Sequence, residues 1–96
     1  MLSIEAPEHA GSRDQARELV CALPDNLAGR RVVLNCSSLV VGTPSFLDEV
    51  VKQVLGQRGA DALEVSDAPE RARELLERAA ANRGVVDRLR VALRVS

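Results

Sequence analysis

Three consecutive apolar residues, Val32-Val33-Leu34, constrain this chain more than any other feature. They sit in the stretch Arg30 to Val41, Arg-Arg-Val-Val-Leu-Asn-Cys-Ser-Ser-Leu-Val-Val. An unbroken apolar run rich in β-branched residues predicts a strand buried on both faces, as in a parallel sheet. What surrounds it is helical in pattern. Ser12 can cap a helix, and Gln15 three residues later can reach back to it, a capping box. Ala16, Leu19, Val20 and Leu23 then follow at helical spacing until Pro24-Asp25-Asn26. Downstream, Thr43 is a good N-cap and Pro44 suits the first helical position. Leu47, Val50, Val51 and Val54 line one face, widened by Phe46 and Leu55, and Gly56 or Gly59 can end the helix.

The remaining segments continue the alternation. Leu2 to Ala6 reads as a short strand broken by Pro7, and Leu63 to Val65 as another. Asp67-x-x-Glu70 resembles a further helix start, before a face made of Ala72, Leu75, Leu76 and Ala79 that ends at Gly84. Glu74 precedes Arg78 by four, the favourable orientation for a surface pair. The last stretch alternates with period two: Leu89, Val91, Leu93 and Val95 point one way, and Arg88, Arg90, Ala92 and Arg94 the other. The order is β-α-β-α-β-α-β. It implies an α/β fold with a small single-layer mixed sheet, its middle strands parallel. One domain spans residues 1–96, with Leu19, Val33, Val50 and Leu75 expected in its core.

Composition excludes several functions. One Phe and no Trp or Tyr leave almost nothing for stacking on bases. Thirteen basic against fourteen acidic residues give a net charge of −1, so no whole-chain field draws nucleic acid or anionic lipid. Arg88, Arg90 and Arg94 on one strand face read as a solvated or edge-protecting row. No apolar run approaches the ~20 residues that span a bilayer, so no membrane is expected. The N-terminus lacks the charged and apolar regions of a signal peptide, and Cys21 and Cys36 fall at expected core positions. A reduced, cytoplasmic chain is the simplest expectation. There is no Gly-rich phosphate loop, and the two cysteines with the lone His9 have no metal-ligand spacing, so neither cofactor nor metal is expected. Cys36 has no partner histidine nearby, and Asp48 and Glu49, adjacent on a helix, diverge by about 100° rather than face each other.

The stretch from Arg30 to Leu55 resembles the core of STAS domains, the fold of bacterial anti-sigma-factor antagonists. Val32-Val33-Leu34-Asn35 matches their hydrophobic strand and Asp, with Asn35 at the Asp position. Ser37-Ser38-Leu39 matches Ser-Gly-Val, and Thr43-Pro44-Ser45-Phe46 falls on Asp-Ser-Ser-Gly. The chain is similar, more closely still, to the STAS-like domains of unknown function. Their Ser-Arg-x-x-Ala-Arg string is Ser12-Arg13-Asp14-Gln15-Ala16-Arg17 here, and their Ser-Phe-x-Asp-Glu string is Ser45-Phe46-Leu47-Asp48-Glu49. The resemblance covers roughly residues 12 to 80. Phe46 and Thr43 depart from the Gly and Asp of the true antagonists.

The resemblance implies a non-enzymatic regulatory module that works by partner switching. It would dock on a protein such as a kinase-like ATPase or anti-sigma factor, and Ser45 aligns with the serine that the partner kinase phosphorylates. Thr43, Ser45, Phe46, Asp48 and Glu49 are then the expected partner-binding residues. Two readings of Ser45 stand at this stage: a phosphosite, or a second helper that satisfies backbone N–H groups at the helix start. Phe46, with Val50 at i+4, can also pack inward. The alternative from another class is a small nucleotide- or phosphate-binding enzyme domain using the Gly42–Ser45 helix start. Self-association through an open sheet edge is a further expectation.

Overall fold

The computed structural model describes residues 2–95. Along the chain come β1 (Leu2–Glu5), β2 (His9–Ala10), α1 (Arg13–Val20), β3 (Arg31–Asn35), β4 (Val41–Gly42), α2 (Pro44–Val51), β5 (Ala62–Ala68), α3 (Glu70–Asn82) and β6 (Leu89–Leu93). The long strands pair in the order β1-β3-β5-β6, and every described pair is parallel. The class is the α/β one implied by the alternation of elements. The parallel pairing expected of the middle strands extends to both edges, so the sheet is not mixed in strand direction. A second, two-stranded parallel bridge joins β2 to β4 at His9–Val41 and Ala10–Gly42. These four residues carry no strand pattern of their own.

Each crossover adds its strand to the same growing edge, and α1 packs on α2 and α2 on α3. The three helices therefore lie side by side over one face of the sheet. Ile4, Val32, Leu34, Leu63 and Val65 are buried beneath them. The residues between, Ser3, Glu5, Val33, Asn35, Glu64 and Ser66, fall on the other face and stay exposed or half-buried. This corrects the expectation for β3: Val32 and Leu34 are buried, but Val33 is only half-buried because no layer covers its side.

The helix layer follows its local signals closely. Ser12 Oγ accepts from the Gln15 N–H (3.2 Å), and Gln15 Oε1 accepts from the Ser12 N–H (3.0 Å), so the capping box forms. Thr43 Oγ1 accepts from the Phe46 N–H (3.2 Å), with Pro44 at the first helical position. The apolar faces of α2 and α3 are buried as patterned, Val50 and Leu75 among them. Leu19 is half-buried and packs against the edge of the core, in the last turn of α1, which ends at Val20. Beyond Val51 the α2 coil widens into a π-helical turn, Lys52–Gln57, closed by Arg58 N–H to Gln53 O (2.9 Å). Gly59, at φ +68°, then turns the chain, which only a residue without Cβ does at little cost.

Three further expectations change. Asp67 does not cap α3; it sits in a bulge of β5 at φ 54°, and Pro69 occupies the N-cap position without a side-chain bond. Cys21 is exposed, while Cys36 is buried. The expected apolar face of the last strand stops short, since Leu93 and Val95 are exposed.

Candidate functional site

Two charged residues at the start of α1 set up the site. The capping box fixes the first turn of α1, which places Arg13 and, one turn later, Arg17 facing α2. On α2, Asp48 and Glu49 meet them. Arg13 Nη1 donates to Asp48 Oδ2 (2.8 Å) and to Glu49 Oε1 (3.2 Å). Arg17 lies 3.6 Å and Lys52 4.0 Å from Glu49 Oε2, and Gln53 Nε2 donates to that same oxygen (2.7 Å). The two sequence strings that carry the family resemblance are thus each other's partners: the arginines of the first neutralise the acids of the second. The opposite charges at matched spacing were the available signal for this, but nothing in the sequence says that the two helices adjoin.

Glu49 is fully buried, the one charged residue in that state among those described. Burial pushes its carboxyl pKa up, but the hydrogen bonds from Gln53 and Arg13 and the charges of Lys52 and Arg17 outweigh that, so it stays below its ordinary value. Asp48 is also held below the usual carboxylate range, chiefly by Arg83 and then by Arg13. Arg83, just past the end of α3, grips Asp48 side-on: Nε to Oδ1 at 3.0 Å and Nη2 to Oδ2 at 2.8 Å.

On the other side of α2, facing α3, a cleft of about 460 Å³ opens. Pro44, Ser45 and Asp48 form one wall, Leu75, Arg78, Ala79 and Asn82 the other, and Arg13 and Arg83 reach in. Ser45 is exposed at its mouth, and Asp48, three residues on, shares that side of the helix as its spacing implied. Arg78 was expected to pair with Glu74. Glu74 instead meets Arg71 (3.6 Å), and the Arg78 side chain has no ion pair or hydrogen bond among the described residues.

The expected site residues therefore divide. Ser45 is exposed, and Thr43 and Asp48 are half-buried. Phe46 and Glu49 are fully buried and cannot meet a partner directly. Phe46 faces inward because its position on α2 is one of the core-facing ones, beside Val50. Arg13, Arg78, Asn82 and Arg83 complete the cleft, and sequence reasoning missed them because they come from segments far from Asp48 in the chain, Arg13 and Arg83 each 35 residues away.

The remaining tempting residues have other roles. Arg88 donates to Ala60 O and Leu55 O (both 2.9 Å), and Arg94 to Cys36 O (2.7 Å) and Leu39 O (2.9 Å). Both are backbone clasps, which leaves Arg90 as the arginine of that row without a bonded partner among the described residues. Burial pushes the Cys36 thiol up to about 11, so it is protonated and a poor nucleophile near neutrality. Among the described residues no group of three or more His, Cys, Asp or Glu is arranged to hold a metal ion. No described helix is long and apolar enough to cross a membrane. No protein-family model, curated protein or solved structure matches this chain.

Proposed function

We propose that this domain is a non-enzymatic regulatory module, STAS-like in kind, that binds a protein partner through the start of α2. One observation supports this most: Ser45 stands exposed on the wall of the α2–α3 cleft, on a helix start held by its cap and by the Arg13–Asp48–Glu49 network. A surface so fixed loses little freedom on binding. Ser45, Asp48 and the edge of Thr43 make the contact in this reading, while Phe46 and Glu49 support it from beneath. The partner is a protein of the kinase-like ATPase or anti-sigma-factor class, the setting is cytoplasmic, and two free thiols accord with that setting. Both sheet edges, β1 and β6, remain available for self-association.

Ser45 is the phosphosite of this proposal. A phosphate there adds a charge of about −1.5 to −2. Asp48 and Glu49 would not oppose it strongly, since each is already matched by arginine. The phosphate would instead sit among guanidinium groups and fill the surface that the partner needs.

The test is a photo-crosslinking residue placed at position 45 in the host cell, with position 90 on the bare sheet face as control. A discrete protein adduct from 45 and none from 90 is expected, and Ser45→Asp should weaken the recovered complex more than Ser45→Ala. Adducts only from 90 would move the function to the sheet. The other reading, a phosphate- or nucleotide-binding enzyme domain, draws on the same arginines. Against it, ligand crevices in open α/β sheets form where strand order reverses, and here the order runs sequentially from β1 to β6. Turnover of ATP or a phosphoester by the purified chain, abolished by one cleft substitution, would favour it.

A further inference from the structure

We infer that the cleft between α2 and α3 receives a glutamate or aspartate side chain from an acidic segment of the partner, with Arg78 as the receiving guanidinium. This rests on the interaction reading above and names the partner's chemistry.

The arginines of the chain are largely spoken for. Arg13 and Arg83 hold Asp48, Arg17 holds Asp14 and faces Glu49, Arg71 and Arg73 meet Glu74 and Glu70, and Arg58, Arg88 and Arg94 clasp backbone carbonyls. Arg31 reaches Glu64 at 4.0 Å. Among the described residues the side chains of Arg30, Arg78 and Arg90 alone have no such partner. Of these three, Arg78 is the one that lines the cleft beside Ser45. A guanidinium is a planar, permanently charged fork matched to a carboxylate, so an empty one on a cleft wall is a recognition element in want of its anion.

The walls select the kind of anion. Pro44, Leu75 and Ala79 supply apolar surface next to Arg78, and Ser45 and Asn82 add neutral polar groups. A side chain with an aliphatic stem and a carboxylate head uses both parts of that lining; a free phosphate uses only the charged one. The volume, about 460 Å³, exceeds what a lone ion fills. Asp48 stands in the same cleft, yet both of its oxygens already accept from Arg83 and one also from Arg13, so its charge is spent locally. The chain as a whole is net negative, at −1, so an acidic segment has no general attraction to it and must bind at a particular place.

The probe is a capped hexaglutamate peptide, titrated into the intact domain at constant ionic strength and followed by the Arg78 Nε–H and Ser45 amide NMR signals. Hexaglutamine and inorganic phosphate are titrated in parallel. Saturable shifts with hexaglutamate are expected, with affinity falling about ten-fold in Arg78→Ala and unchanged in the exposed control Arg90→Ala. Equal affinity in Arg78→Ala, no saturable shift, or equal binding of hexaglutamine overturns the inference. Phosphate binding as tightly as the peptide overturns it too, in favour of a free-anion site. If position 45 crosslinks to a partner while hexaglutamate leaves the cleft untouched, the partner surface stands and its acidic chemistry falls. If the peptide binds and no partner adduct forms, the interaction reading fails and takes this inference with it.

Discussion

The two sides of α2 are built from the same residue types and finish in opposite states. Toward α1, arginine meets carboxylate at every turn, and Glu49 is driven to full burial among Arg13, Arg17, Lys52 and Gln53. Toward α3, Arg83 takes Asp48, and a cleft remains with Arg78 unmatched among the described residues. A seam whose charges are satisfied can close and lock. A seam that holds an unmatched guanidinium stays open to water there, because a desolvated, unpaired guanidinium is expensive. The difference teaches that a partner for each charge, and not charge as such, decides whether a side chain between two helices becomes structure or surface.

The comparison can be broken at its foundation. Phe46 is buried at the start of α2, between the two seams, so Phe46→Ala should cost about 3–5 kcal/mol in urea unfolding. A cost below about 1 kcal/mol would mean that α2 is not anchored there and that neither seam is as rigid as described. The closed seam is tested next. Glu49→Ala removes a buried carboxylate and its bonds, with an expected loss of about 2–4 kcal/mol, moderated because Arg13 and Arg17 can turn to water. An unchanged midpoint would show that the network is ornament.

Acid sharpens the same contrast. Asp48 and Glu49 are both held below their ordinary values, so they bind fewer protons folded than unfolded. Their stabilisation is therefore complete above the unfolded carboxylate range, around pH 4, and is lost as pH falls through the lower folded values. Thermal unfolding followed from pH 7 downward should show a steep decline below about pH 4, flattened in Glu49→Gln. The smallest effect belongs to the open seam. Arg78→Ala should leave stability within about 0.5 kcal/mol, since the side chain supports nothing in the fold. A larger loss would make the cleft a structural feature.

What could be read from the chain beforehand follows the range of the interactions involved. Ser12 and Thr43 were legible as caps because each bonds an N–H three residues away. The buried faces of α2 and α3 were legible because helical spacing is local. Val33 misled because three apolar residues in a row say nothing about how many layers will cover them, and here there is one. Asp67 misled because its spacing to Glu70 suits a cap, whereas the bulge that claims it is set by pairing with β6. The cleft was half legible: Ser45 and Asp48 share one helix, but their counterparts Arg78, Asn82 and Arg83 arrive through tertiary packing alone.

The last strand carries a consequence of its own. β6 has no fully buried side chain, pairs with β5 only, and is pinned by Arg88 and Arg94 through backbone carbonyls. It contributes little oil to the core and much to the hydrogen-bond ladder. Such an element opens by itself, well before the whole domain does. Its amides from Leu89 to Leu93 should exchange with solvent deuterium far sooner than those of β3, making β6 a hatch that lifts while the β1-β3-β5 sheet and the helices over it stay shut.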